Sequence, residues 1–142
     1  MHLKESFPWP PKQLSPNARV HHMAKAKAAK GYRNDCMMVA MSSWSTLARS
    51  MRITDRRLMH IWLVFCPPDN RRRDDDNLIA SFKSGRDGIA DALSIDDQVF
   101  CTHFLRGPKV KGGRVQVLIT DSVDHHEALA IIQEIEPMEK VK

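Results

Sequence analysis

Cysteine is scarce in this 142-residue chain: Cys36, Cys66 and Cys101 are odd in number, widely spaced and form no CxxC pair. Such a set argues against a disulfide framework and suits a reducing cytoplasm. Long hydrophobic runs are also missing. The longest, Ile61-Trp62-Leu63-Val64-Phe65-Cys66, falls far short of the ~20 residues that span a bilayer, so no membrane partner is expected. Met1-His2-Leu3-Lys4-Glu5-Ser6 places an acid where a signal peptide needs apolar residues, and Pro8, Pro10 and Pro11 follow, so no export is expected. There is no internal repeat and no low-complexity tract. None of the seven histidines is read as pairing with an acid or cysteine at metal-ligand spacing. His21-His22 and His125-His126 are adjacent rather than one helical turn apart, and no chemistry is assigned to them. Aromatics make up 6% of the chain, and Trp9, Trp44 and Trp62 read as core rather than as base-stacking groups.

What is present is a soluble, globular composition, 42% apolar and 27% charged. The length predicts one domain, able to bury roughly 68–70% of its unfolded surface. The net charge of +5 is unevenly distributed. Residues 1–35 contribute +5 and residues 36–120 contribute +4, whereas residues 121–139 hold six acids and no Lys or Arg. A basic body with an acidic tail implies a polyanionic partner, most often nucleic acid.

The prolines at 8, 10, 11 and 16 exclude regular helix over 7–20, which reads as a short strand running into a loop. Met37, Met41, Trp44, Leu47 and Met51 recur at helical spacing and predict a helix over about 24–51, with Gly31 as the one point of interruption. Residues 57–66 predict a strand that is apolar on both faces, hence central or at a subunit contact. A second helix is expected from Asn77 to Leu93, and strands at 99–106 and 114–120 are expected to form an antiparallel hairpin. His125 to Ile135 predicts a final helix. The fold class is therefore α/β, a small mixed β-sheet with helices packed on it in a single domain over 1–120, followed by an acidic extension over 121–142.

Plain folding does not account for Arg71-Arg72-Arg73-Asp74-Asp75-Asp76-Asn77-Leu78. In an extended segment Asp74 and Asp76 share a side and Asp75 points away. Paired carboxylates repel unless a cation lies between them, and oxygen-only donors favour Mg²⁺ or Mn²⁺ over zinc. The plain alternative is an N-cap with solvated charge. A second acidic pair, Asp96-Asp97, follows the helix. A parallel crossover would keep it apart from the first cluster and an antiparallel one would bring the two together; spacing alone leaves both open. Lys83, seven residues after Asp76, is placed on the same helical face, where it would meet a scissile phosphate or simply pair with Asp87 at i+4. Arg106, Lys109, Lys111 and Arg114 surround Gly112-Gly113, which reads as a mobile basic hairpin tip or a solvated turn.

These residues resemble the RusA family of Holliday-junction resolvases. The likeness runs from Phe7-Pro8-Trp9-Pro10-Pro11 and Asn17 through the arginine run and Asp74-Asp75-Asp76-Asn77-Leu78. It continues through Gly88-Ile89-Ala90-Asp91-Ala92-Leu93 and Ile95-Asp96-Asp97 to Lys111-Gly112-Gly113-Arg114. The resemblance implies a homodimer that binds a four-way DNA junction and nicks two strands symmetrically, in recombination and repair, with Mg²⁺ or Mn²⁺ as cofactor. It carries the metal-binding and catalytic aspartates onto Asp74, Asp76 and Asp97. It implies DNA contacts from Arg71, Arg72, Arg73, Asn17, Arg19, Lys109, Lys111 and Arg114, and a phage or prophage origin. Where the family pattern has a functional lysine this chain has Ala80, and Lys83 is the substitute on the expected face. That departure leaves open a junction-binding protein with weakened catalysis; a nuclease for other branched phage DNA and a basic regulatory domain with structural acids are the further alternatives.

Overall fold

A strand with two apolar faces belongs in the middle of a sheet, and β2 (Met59–Cys66) is buried at every position. It pairs in parallel with β3 (Phe100–Arg106) on one side and antiparallel with β4 (Arg114–Thr120) on the other. Outside β4 lies β1 (His2–Pro8), also antiparallel, which gives the order β1-β4-β2-β3. The structure is a computed structural model that describes residues 2–51 and 59–120. The acidic extension over 121–142 and its expected helix lie outside the described residues. Within them the expected α/β class holds: a small mixed sheet with three helices, α1 (His22–Met51), α2 (Asp75–Ser81) and α3 (Lys83–Leu93).

The strand pleat sorts the core into two layers. Met59, Ile61, Leu63 and Phe65 of β2, Val115, Val117 and Ile119 of β4, and Leu3 and Phe7 of β1 face the helices in one continuous cluster. On the opposite face Trp62 packs with Leu118, and Val64 and Cys66 pack with Val110. The two apolar faces read in the sequence thus have separate packing partners.

α1 runs unbroken through Gly31, where a Cβ would meet nothing within 4 Å. Its buried stripe is Tyr32, Cys36, Ala40 and Trp44, one turn apart. Two methionines expected along that helix face leave it: Met41 is exposed and Met37 is half-buried. The small Ala40 and Cys36 let the helix lie close to the sheet. Trp44 Nε1 donates to the Lys4 carbonyl at 3.1 Å, and Tyr32 Oη donates to the Pro8 carbonyl at 2.5 Å, which pins both ends of β1 to α1.

Three expectations change. The first strand occupies residues 2–8, so Pro8, Pro10 and Pro11 end it rather than opening it, and Lys12–Leu14 forms one tight 3₁₀ turn. The single helix expected over 77–93 is two helices broken at Phe82, whose φ of −94° and ψ of 1° leave the helical range. Ser81 Oγ donates to the Leu78 carbonyl at 2.6 Å beside this break. The bend sends the Phe82 ring into an edge-to-face cluster with Phe7, Tyr32 and Phe65, whose centroids lie 6.4, 6.0 and 6.2 Å away. Lastly, β3 and β4 do not form a hairpin, because β2 lies between them. Residues 107–113 strap over the end of β2 instead, with Gly107 N–H donating to the Phe65 carbonyl at 2.8 Å and Val110 N–H to that of Pro67 at 2.9 Å.

The closest helix contact is between α1 and α3 at Gly88. A Cβ there would sit 2.2 Å from the Arg33 carbonyl oxygen and 3.1 Å from Met37 N, both backbone atoms that cannot turn aside. Gly88→Ala is expected to lower unfolding free energy by about 2 kcal/mol, since overpacking costs up to ~3 kcal/mol and helix propensity returns ~1 kcal/mol. A urea-denaturation midpoint equal to that of the wild type would show that the helices separate without cost.

Candidate nuclease site

The site is built on the crossover between the parallel strands β2 and β3. Pro67 and Pro68 stop β2, and Asp69 then organises the turn that follows. Asp69 Oδ1 accepts the Arg71 amide at 3.0 Å and meets Arg73 Nη2 at 2.8 Å. The Arg71 amide, followed by the Arg73 guanidinium, holds the Asp69 carboxyl below its ordinary range against a desolvation that pushes it up. Arg73 is itself largely covered and lies 5.5 Å over the Trp9 ring. Arg71 is far more exposed, with only a 3.9 Å contact to Asp69, and Arg72 has no ion pair among the described residues.

Trp9 ties the proline-rich opening to this turn. The two segments enclose a cavity of about 460 Å³ lined by Trp9, Asn17, the three arginines and Asp74. Two stretches far apart in sequence, each singled out for DNA contact, therefore face one space. Arg19 is exposed and does not line that cavity.

The three consecutive aspartates separate by backbone geometry. Asp74 is the N-cap of α2 in extended conformation, with ψ of 145°, and its side chain makes no capping hydrogen bond. Asp75 turns to Arg106, whose Nε donates to Asp75 Oδ1 at 2.7 Å and whose Nη2 reaches the Arg73 carbonyl at 2.5 Å. Asp76 sits in the first turn and accepts only its neighbour's amide, from Asn77 at 3.1 Å. Both first-turn acids suit the positive end of the helix. Asp74 and Asp76 are left exposed and unpaired with any cation among the described residues.

Asp97 is positioned by the cap of α3. Ser94 adopts the left-handed conformation at φ 56° and ψ 43°, and Ile95 N–H closes back to the Ala90 carbonyl at 3.1 Å. Asp96 then caps a short turn through Gln98 N–H at 2.9 Å, while Asp97 faces the crossover helices. Asp97 Oδ2 lies 3.4 Å from both Lys83 Nζ and Arg86 Nη2, and Lys83 also holds Asp87 at 3.1 Å. Desolvation raises the Asp97 carboxyl, but the hydrogen bond from Lys83 and the charges of Lys83 and Arg86 outweigh it and hold the carboxyl low.

Lys83 is thus both the i+4 partner of Asp87 and a partner of Asp97. Because the helix breaks at Phe82, Lys83 does not follow Asp76 by two straight helical turns. Arg86 went unnoticed in the sequence; its link to Thr102 of β3, at 2.7 Å, needs the parallel register to be visible. At Ala80 a smaller cavity of about 190 Å³ opens between Leu63, Ile79, Lys83 and Arg86. Asp74, Asp76 and Asp97 do not share one ligand cluster within 4.8 Å.

The basic loop is also rearranged. Gly112 and Gly113 take φ of +77° and +71°, and a Cβ on Gly113 would meet Trp9 and Pro68 at 2.9 and 3.0 Å, so the strap is packed onto the site's wall. Val110 is buried, and Arg106 is exposed but paired with Asp75. Lys111 and Arg114 are exposed and Lys109 is half-buried.

No protein-family profile matches the chain. Over 119 residues it is 44% identical to an uncharacterized protein of Xylella fastidiosa, covering 81% of this chain and 74% of that protein. Over 122 residues it is 30% identical to the crossover junction endodeoxyribonuclease RusA of Enterobacteria phage 82, covering 82% of this chain and 92% of the phage protein.

The electrostatics at Asp97 can be measured directly. A carboxylate with a lowered pKa contributes stability that is complete above its unfolded value and lost as pH falls through the folded one. Carbon-detected NMR titration is expected to find Asp97 below the ordinary aspartate value, moving upward in Lys83→Ala. The stability change should stay below about 1 kcal/mol because the pair is largely solvated. An Asp97 titration unchanged by Lys83→Ala would assign the lowering to Arg86.

Proposed function

The chain belongs to the RusA-like family, and from that premise we propose that it is a metal-dependent endonuclease that resolves four-way DNA junctions by paired nicks. The 30% identity to the phage 82 endonuclease over nearly its whole length carries this reading. The cavity where Asn17, the arginines and Asp74 meet supports it, because phosphate-binding and acidic groups share one space. As a homodimer the protein would present two such sites to the two symmetric strands of a junction.

Asp74, Asp76 and Asp97 are the residues that would hold Mg²⁺ or Mn²⁺. Their donor chemistry fits: all are carboxylate oxygens, and Asp74 and Asp76 are not occupied by capping or by cations. When bound, the cation supplies Lewis-acid polarisation of the phosphodiester and a more acidic water. The chain's own groups supply the rest. Arg71 and Arg72 neutralise backbone phosphates beside Asp74, and Asn77 closes the same wall. Lys83 and Arg86 keep Asp97 ionised and bring positive charge towards the phosphate that would bridge the two acid groups. Buried Trp44 and Trp62 are not available to stack on bases, so selectivity would come from junction shape and the spacing of the two sites.

Single-turnover cleavage of a synthetic four-way junction with Mg²⁺ tests the proposal. Wild type is expected to nick the junction in preference to flap and linear duplex, and Asp76→Asn is expected to slow nicking at least about 100-fold while still binding. Binding without nicking by the wild type would favour the weakened junction-binding alternative, for which Ala80 in place of the family's lysine is the specific observation. Equal rates on flap and junction would favour the broader branched-DNA nuclease.

Arg72 offers a separate prediction on binding. Arg72→Ala is expected to weaken binding equally across sequences and to reduce the salt slope of log K by about one. An unchanged slope in a fluorescence-anisotropy salt series would remove Arg72 from the DNA interface.

A further inference from the structure

On the sheet face turned away from the helices, the parallel register of β2 and β3 sets His60 directly beside Cys101. Two residues along β3, on the same face, stands His103. His60 Nδ1 and His103 Nε2 lie 2.8 Å apart, and one ligand atom from each of His60, Cys101 and His103 falls within 4.8 Å of the others. Among the described residues this is the one trio of histidine, cysteine or acidic side chains gathered so closely. His60 is buried, while Cys101 and His103 are half-buried, so the cluster is both sheltered and reachable. The His103 ring is further fixed by stacking on Trp62, with centroids 4.0 Å apart and planes at 14°.

We propose that His60, Cys101 and His103 form a zinc site. Two imidazoles and a thiolate are borderline-to-soft donors, which select Zn²⁺ over the hard Mg²⁺ suited to carboxylates. Tetrahedral zinc with Zn–N of about 2.0–2.1 Å spaces its nitrogen ligands ~3.3 Å apart, so the histidine nitrogens need to open by only ~0.5 Å. A fourth donor completes the tetrahedron. Binding releases the Cys101 thiol proton to solvent, and the proton now shared between the two ring nitrogens moves to the far nitrogen of its own ring by tautomerisation. No oxidation change occurs. The ion would cross-link the first residues of two neighbouring strands, four residues beyond Asp97, and so fix the start of β3 from the side opposite the acidic site.

The test uses the full chain, first stripped with a chelator, with Zn²⁺ alone as probe and total bound metal measured after equilibrium dialysis. One zinc per chain is expected. Cys101→Ser, which nearly preserves volume, should weaken binding by more than tenfold, since even an outer partner of a ligand is worth about 10–100-fold. The Asp74→Asn, Asp76→Asn double variant should keep wild-type zinc affinity. Cobalt-loaded wild type should show a thiolate-to-metal charge-transfer band that Cys101→Ser lacks. Should Cys101→Ser fail to fold, alkylation of wild type mapped by mass spectrometry replaces it, with zinc expected to protect Cys101. Zinc affinity that follows the aspartates, a cobalt spectrum without the thiolate band, or Cys101 alkylated equally with and without zinc would each overturn the site. The two histidines would then be only a hydrogen-bonded pair.

Discussion

Parallel pairing of β2 with β3 is the constraint on which the remaining architecture depends. Two parallel strands cannot be joined by a tight turn, so the chain must leave the end of β2, cross a face of the sheet and return to its start. That crossover contains the arginine run, the aspartates, both short helices and Asp97. It must also cover the apolar residues Leu63, Phe65 and Phe100, which it does with Leu78, Phe82, Ile89 and Leu93. The same segment therefore completes the core and displays the charged groups. The bend at Phe82 reconciles the two tasks, since it buries one aromatic ring and turns the next residues, Lys83 and Arg86, towards Asp97.

The charges on the crossover fall into two groups. Asp75 with Arg106, Asp69 with Arg73, and Asp97 with Lys83 and Arg86 are locally matched. Apart from the covered Arg73, these partners stay in contact with solvent, and each pair contributes little to stability. They restrict where side chains point: Arg106 ties the end of β3 to the start of α2, and Arg73 is held beneath Trp9. Arg72, Asp74 and Asp76, with Arg71 only loosely held by Asp69, are exposed neighbours in sequence with opposite signs, and Arg71, Arg72 and Asp74 line the same cavity. A polyanion with a bound divalent cation complements such a surface better than either would alone, because each sign then meets its counterpart.

Much of this was legible in the sequence because burial leaves a period. The doubly apolar run at 59–66 marks a central strand, and the run of Ala and Lys without proline marks α1. The positions of the arginines and aspartates at a strand end followed from Pro67, Pro68 and the acids themselves. What was not legible depends on pairings between distant segments. A seven-residue link between two strands reads as a hairpin loop unless the third strand between them is known. The break at Phe82 does not disturb the apolar spacing of Leu78, Phe82, Ile89 and Leu93, so periodicity alone predicts one helix. The spacing of Met37 and Met41 marks a helix, whereas close packing on the sheet selects the smaller Cys36 and Ala40 for its buried face. His60 carries no metal motif in its own neighbourhood, and only the strand register sets it beside Cys101 and His103.

The sheet also separates two kinds of donor chemistry. Pleating sends Met59, Ile61, Leu63 and Phe65 to the helical side, where the crossover carries the carboxylates Asp74, Asp76 and Asp97 together with guanidinium and ammonium groups. It sends His60, Cys101 and His103 to the other side, where nitrogen and sulfur donors meet and no carboxylate joins them among the described residues. Raw affinity favours zinc over magnesium for nearly any donor set, so a protein that works with a hard cation benefits from keeping its soft donors elsewhere. A zinc ion on the far face would leave the aspartates to the harder ion. The pleat itself, which puts Cys101 and Thr102 on opposite faces, keeps these two chemistries apart.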